Sequence, residues 1–131
     1  MRRYGWAALA LLLSGGVAWA ELPSREFTTQ TKTASASKGV TDQVIWTPAS
    51  GKRIVLQGAL FCASNATDNI ELESSNVDVI PPFAIESYGC KTFSAGGAAL
   101  WMGATDATLT YTGGVRGPGA LSVMVWGYEI Q

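Results

Sequence analysis

The stretch LSVMVWGYEI, residues 121–130, decides the fold because its apolar residues alternate as they do in a β-strand. Leu121, Val123 and Val125 fall on one face, which suits a hydrophobic core. The opposite face consists of Ser122, Met124, Trp126, Tyr128 and Ile130. Since both faces are largely apolar, the second one needs a cover, whether a loop, a second subunit or a ligand.

A second long strand is predicted over Lys52–Ala63, directly after the turn Pro48–Gly51. Alternation divides this strand into two faces, of which one is uniformly suited to a core. That face consists of Ile54, Leu56, Gly58, Leu60 and Cys62. Shorter strands are predicted over 44–47, 70–74, 77–80, 100–102 and 107–112, with one more within 83–93.

Helical periodicity is absent beyond residue 20, and turn residues recur at short intervals. Pro81 and Pro82 are expected to end a strand at Ile80, because proline has no N–H to donate to a ladder. We therefore predict a single all-β domain, an antiparallel β-sandwich or jelly roll of about eight short strands.

The first twenty residues predict a secretory signal peptide rather than a part of the domain. Arg2 and Arg3 give a basic start, 7–13 is an unbroken apolar run, and 18–20 reads Ala-Trp-Ala, an A-x-A cleavage pattern. Cleavage after Ala20 would leave a secreted, periplasmic or cell-surface protein. The apolar run is too short to span a membrane, and no later run is longer, so the mature chain is expected to have no integral membrane segment.

Residues 21–38 predict a polar N-terminal arm, and 39–131 the β-sandwich domain. The arm is rich in Ser, Thr, Ala, Gln and Lys, and its large apolar residues are Leu22 and Phe27. Such a composition buries too little surface to order itself. Its threonines also permit the alternative of an edge strand.

Composition excludes several classes of function. The sequence has no histidine, the commonest general base and metal ligand. Cys62 and Cys90, the only cysteines, most simply form a structural disulfide after export, the alternative being two buried free thiols. Two thiols are too few for a metal site.

Without Arg2 and Arg3, seven basic residues face ten acidic ones, so a nucleic-acid partner is not expected. We predict no cofactor and no metal.

A resemblance to a known class of domain runs from Thr47 to Ile130. Residues 47–54 read TPASGKRI, a T-P-x-x-G-K-R turn that opens a strand, and Pro-Pro-Phe at 81–83, a glycine-rich link and WGYEI at 126–130 follow. This order is similar to small jelly-roll domains of bacteriophage virion proteins, such as tail-fibre or head-decoration modules. The resemblance implies a structural or attachment module without catalytic residues, although a signal peptide and a disulfide depart from that pattern.

Carboxylates offer the one catalytic alternative. Glu71 and Glu73 share a strand face at roughly 7 Å, a separation that inverting glycosidases use. The simpler interpretation is the solvent side of a strand. Loop oxygens that could bind calcium belong to Asp106, or to Asp68 with Asn65 and Asn69. Turn chemistry is the favoured explanation for these residues, because Asp and Asn bond to nearby backbone groups. We predict that the protein is not an enzyme.

The aromatic residues are the most informative candidates for function. They are Trp46, Tyr88, Trp101, Tyr111, Trp126 and Tyr128. Such residues can fill a core, stack on sugars or bury a subunit interface. The doubly apolar closing strand favours contact with a partner at Met124, Trp126 and Tyr128, with Trp101 nearby. We therefore predict an exported, self-associating structural protein, a homo-oligomer in a cell-surface, filament or virion-like assembly. The alternative is a carbohydrate-binding module for a surface glycan.

Overall fold

The computed structural model describes residues 27–131, and the predicted signal peptide lies outside them. This part of the chain is all-β, with nine strands in two antiparallel sheets packed as a sandwich. The strands are β1 (Gln30–Ala36), β2 (Val40–Trp46), β3 (Arg53–Ala63), β4 (Ile70–Ser74), β5 (Val77–Phe83), β6 (Gly89–Ser94), β7 (Trp101–Met102), β8 (Leu109–Gly113) and β9 (Leu121–Ile130).

The strand order is that of a jelly roll. Sheet A has the order β1-β9-β3-β6, with β7 pairing along the same edge of β3 as β6, and sheet B has the order β2-β8-β4-β5. The pairs β1–β9, β2–β8 and β3–β6 nest one inside the next around the β4–β5 hairpin. The predicted all-β sandwich is confirmed, and β1, which the sequence offered only as an alternative to a loose arm, accounts for the ninth strand.

A β-bulge in β3 lets both halves of that strand face the core. Pairing with β9 shifts register between Leu56 and Gly58, so Gln57 is an extra residue in β3. Because side chains alternate, one extra residue exchanges the two faces. Ile54 and Leu56 are fully buried in the core before the bulge. The core residues after it are Ala59, Phe61 and Ala63.

The single core face predicted for β3 is therefore correct before the bulge and wrong after it. Leu60 and Cys62 are half-buried on the outer side of sheet A, away from sheet B. Gly58 also lies on that side, where the ring of Trp126 covers it. The hydrophobic pattern gave no warning, since Phe61 is as suitable for a core as Leu60.

The closing strand packs as the sequence predicts. Leu121, Val123 and Val125 are fully buried between the sheets. Across the core, the largest fully buried side chains are those of Trp46 and Tyr111, one from β2 and one from β8. Burial raises the pKa of the Tyr111 hydroxyl above 10.0. Two of the six aromatic candidates are thus core residues.

β5 runs through Pro81 and Pro82 to Phe83, so the predicted end at Ile80 is wrong. The reason is position, since β5 is an edge strand of sheet B and its outer side needs no ladder hydrogen bonds. The pairing with β4 also shifts register across the two prolines, which marks a bulge there.

β1 is the edge strand that the sequence left open as an alternative to a loose arm. Residues 30–36 pair with β9 along their whole length, in an unbroken register. The sandwich therefore begins within the predicted arm rather than at residue 39.

The predicted disulfide joins Cys62 of β3 to Cys90 of β6. The two residues are direct partners in the ladder, with Cα atoms 4.1 Å apart. The bridge fastens the edge strand β6 to the centre of sheet A, and Cys90 is exposed on the outer side.

Gly127 lies where β9 passes the bulge, and a Cβ there would overlap the carbonyl oxygen of Val55. Because that oxygen belongs to the backbone, it cannot turn away. We expect Gly127→Ala to lower the free energy of unfolding by about 1–3 kcal/mol, measured by urea denaturation. Gly39→Ala is the control, since a Cβ at Gly39 would meet nothing within 4 Å. Equal stability of the two variants would contradict the close approach.

Candidate functional site

The outer face of sheet A carries three of the four predicted contact residues, Met124, Trp126 and Tyr128. Met124 and Trp126 alternate with the core residues Val123 and Val125, and Tyr128 continues the alternation, so all three point away from sheet B. We define this outer face by the side chains of Leu60, Met102, Ser122, Met124, Trp126 and Tyr128 together with the Cys62–Cys90 disulfide.

Trp101, the fourth predicted contact residue, lies on the opposite side of sheet A. It is the ladder partner of Leu56, a core residue, and its ring packs against the core and over Gly103. The structure thus brings Met124, Trp126 and Tyr128 together and leaves Trp101 with the core.

One half of the outer face is covered by the chain itself. The Trp126 ring lies over Gly58, where a Cβ would overlap it. The Tyr128 ring stacks on Phe27 of the N-terminal segment, with centroids 4.8 Å apart and planes 17° from parallel. Val55, the ladder partner of Tyr128, is 1% exposed although it lies outside the core cluster. Intramolecular cover, one of the three possibilities from the sequence, therefore holds for this half.

The other half of the outer face is open. Leu60 and Met124 are direct partners across β3 and β9, and Met124 is 38% exposed. Together with Thr33 and Ser35 of β1 and with Cys62, they border a groove of about 430 Å³. The groove is lined by apolar side chains and by the small side chains of the edge strand.

The open half continues across the disulfide. A second hollow of about 330 Å³ lies beside Cys62 and Cys90 and is bordered by Tyr88, which is 87% exposed. Tyr88 has a positive φ of 59°, which places it at the tip of the turn that enters β6. An apolar strip therefore runs from Met124 over the disulfide to Tyr88. Sequence alternation assigned Leu60 to the core face because it did not reveal the bulge. Tyr88, one of the aromatic candidates, was not assigned to this face because it lies in a turn.

A separate acidic cluster lies on the outer face of sheet B. Carboxylate oxygens of Glu71, Glu73 and Asp78 lie within 4.8 Å of one another, closer than the 7 Å expected for the two glutamates alone. Ile70 and Leu72 are fully buried on the other side of β4, so the glutamates do form the outward face of their strand. None of these three carboxylates borders the groove beside Met124 or the hollow beside the disulfide.

Two members of the acidic neighbourhood come from other strands. Asp78 is the ladder partner of Glu73 across the β4–β5 hairpin, and Asp42 approaches from a bulge in β2. Partial burial, together with Glu71, Asp42 and Asp78, raises the pKa of Glu73 above 4.5. The sequence feature that indicates the proximity of Asp78 to Glu73 is the tight turn at Ser75-Asn76, which sets the register of the β4–β5 hairpin.

Of the loop residues considered for calcium, Asp68, Asn65 and Asp106 have partners within the chain. Asp68 forms an ion pair with Arg116, with Oδ1 2.6 Å from Nε. The Asn65 side-chain oxygen accepts from the backbone N–H of Ala66 at 2.8 Å. Asp106 accepts from the backbone N–H of Gly51 at 2.6 Å. The Asn65 contact is the local turn interaction that the sequence favoured, whereas Asp68 and Asp106 contact groups that are distant in the sequence.

Glu129 fixes the T-P-x-x-G-K-R turn to the closing strand. Its Oε1 accepts from the indole N–H of Trp46 at 2.9 Å, and its Oε2 accepts from the backbone N–H of Ala49 at 3.1 Å. These two hydrogen bonds, with the charges of Lys52 and Lys32, lower the pKa of Glu129 below 4.5. Asp106 holds the same turn from the other side through Gly51, so the turn is an element of the scaffold.

Comparison with known proteins assigns the chain to no family. No protein-family model matches the chain, and no curated protein sequence matches it significantly. Within residues 27–131, the structure has no helix long and apolar enough to cross a membrane.

We expect Glu129→Gln to lower the free energy of unfolding by about 1–2 kcal/mol near pH 7, because a charged acceptor is lost from two hydrogen bonds. A lowered folded-state pKa gives stability that is present above 4.5 and is lost as the pH falls through the folded value. The difference from the wild type should therefore shrink in acid, as measured by urea denaturation across pH. Glu86→Gln, at an exposed carboxylate, is the control. A difference independent of pH would refute the role of the charge.

Glu73→Gln should have the opposite effect on stability and make the folded chain more stable near pH 7. A raised folded-state pKa means that ionisation of Glu73 destabilises the folded chain, an effect absent below 4.5 and present once the pH exceeds the folded value. We expect Glu73→Gln to raise the melting temperature near pH 7 at low salt, with a smaller gain at high salt because ions screen the repulsion. A lower melting temperature at neutral pH would show that these carboxylates do not repel one another.

Proposed function

We propose that this protein is an exported, non-enzymatic structural subunit that associates with itself through the open half of the outer face of sheet A. The observation that carries the proposal is the apolar strip from Met124 and Leu60 across the disulfide to Tyr88. Apolar side chains gathered on one sheet face favour burial against another protein surface.

Export is supported by the signal-peptide pattern of residues 1–20 and by the disulfide. Disulfides persist in oxidising compartments and are rare in the cytosol. The resemblance to jelly-roll modules of phage virions favours the same class of role, an attachment or assembly module.

A non-enzymatic role is supported by the absence of histidine from the sequence and by the position of the carboxylates. Glu71, Glu73 and Asp78 lie on an outward sheet face rather than in a cleft that could enclose a substrate. A catalytic pair needs a site that binds the substrate and limits access of water.

The carbohydrate-binding alternative is weakened by Tyr128 and Trp126. One ring face of Tyr128 is taken by Phe27, and the Trp126 ring lies against Gly58. A sugar platform needs aromatic ring faces that are free to stack, and Tyr88 is the aromatic side chain most exposed among residues 27–131.

The test is light scattering across a hundredfold dilution of the mature protein. We expect the apparent mass to fall on dilution, and Met124→Lys to lower the apparent mass at the highest concentration, since a charge would have to be buried in the contact. Val44→Lys is the matched control, because Val44 is similarly exposed at 48% but belongs to sheet B.

A constant monomer mass for the wild type would refute self-association. Constant mass together with a change in tryptophan fluorescence on adding glycans would favour the carbohydrate-binding module instead. Equal effects of Met124→Lys and Val44→Lys would exclude the outer face of sheet A as the contact.

A further inference from the structure

We infer that the free edge of β1 is a strand-addition site, and that its occupant is β1 of a second copy of this chain, running antiparallel. The inference rests on the proposed function and identifies the partner and the strand that meets it. Within residues 27–131, β1 pairs on one side only, with β9, over seven residues and without a register shift.

The other three sheet edges carry features that oppose strand addition. β2 has two register shifts and a positive φ of 50° at Asp42. β5 contains Pro81 and Pro82, and the edge beyond β3 is divided between β6 and the two-residue β7. Bulges, prolines and short edge strands are features by which natural proteins protect edge strands. β1 has neither a proline nor a bulge.

The one charge on β1 is turned away from a partner strand. Lys32 lies on the side facing sheet B, with Nζ 5.6 Å from the centroid of the Trp46 ring and near the carboxylate of Glu129. The other residues of β1 are Gln30, Thr31, Thr33, Ala34, Ser35 and Ala36. Their side chains are uncharged and mostly small, so they neither repel nor obstruct a second copy.

The Cα separation of the two disulfide-bonded cysteines shows which backbone N–H and C=O groups of β1 point to its free edge. Its Cα separation of 4.1 Å is typical of a non-hydrogen-bonded pair, so the backbone N–H and C=O of Cys62 point toward Ser122 of β9. Ser122 and its other partner, Ser35, then form a non-hydrogen-bonded pair. By alternation, the N–H and C=O groups of Thr31, Thr33 and Ser35 point to the free edge.

These edge groups are self-complementary under a two-fold rotation. If Thr33 lies opposite its own counterpart, Thr31 lies opposite the partner's Ser35, and all three positions become pairs that each exchange two hydrogen bonds. The same register sets Lys32 opposite the uncharged Ala34, so no like charges face each other. A second copy therefore provides hydrogen-bond partners for the outward backbone groups of Thr31, Thr33 and Ser35, and for this reason we infer that it is the occupant.

Such pairing would make sheet A continuous across two copies. Thr33 and Ser35 border the groove beside Met124, so the grooves of the two copies would adjoin at the two-fold axis. The outer faces would then form one surface of twice the width, available to the contact proposed above.

Cross-linking tests the register directly. Thr33→Cys would place two thiols on the two-fold axis, at a Cα separation of about 5.5 Å that a disulfide can bridge. Thr31→Cys is the matched control, because residues at position 31 would lie roughly 13 Å apart. Under mild oxidation we expect a covalent dimer from Thr33→Cys and little from Thr31→Cys. Equal cross-linking of both variants, or none from Thr33→Cys, overturns the inference.

A second pair of variants separates this inference from the proposed function. Thr33→Pro removes an N–H that points to the free edge and has no ladder partner among residues 27–131, and Thr33→Val keeps it. Circular dichroism checks that both variants remain folded. Of these two variants, we expect only Thr33→Pro to lower the apparent mass. If Thr33→Pro lowers the mass and Met124→Lys does not, the contact through the outer face fails and the edge stands. If only Met124→Lys lowers it, the edge inference fails.

Discussion

The extra residue at Gln57 meets two demands that an unbulged β3 could not satisfy together. Ile54 and Leu56 must reach the core at one end of the strand, and Phe61 must reach it at the other. An unbroken alternation would turn one of these groups outward, at a loss of about 1.5–3 kcal/mol for each large apolar side chain exposed. The bulge also sets the approach of Gly127 to Val55, which glycine alone permits without overlap.

The same bulge determines what sheet A shows to the outside. Beyond it, Leu60 and Cys62 move to the outer face, where they join Met124 of β9. The apolar strip is therefore a by-product of core packing as much as a surface feature. A substitution chosen to change the strip must avoid residues that also hold the bulge, and Met124 meets that condition because it is 38% exposed and belongs to β9.

Much of this fold could be predicted from local chemistry. Strict alternation located β4 and β9 at their observed bounds, and the disulfide was predicted from two cysteines that follow a signal-peptide pattern. What could not be predicted depends on neighbours in space. The prolines of β5 are tolerated only because that strand is an edge, and the position of Trp101 depends on pairing with Leu56 rather than on its own sequence context.

The nesting of the strand pairs has a consequence for how this chain folds. Lys32 pairs in register with Val125, so the first and last strands of the sandwich are neighbours in sheet A. That sheet cannot close until nearly the whole chain is available, and closing so long a loop makes folding slow. A chain with this topology completes sheet A only after its final strand has been synthesised, so the first strand waits for almost the whole chain before it finds its partner.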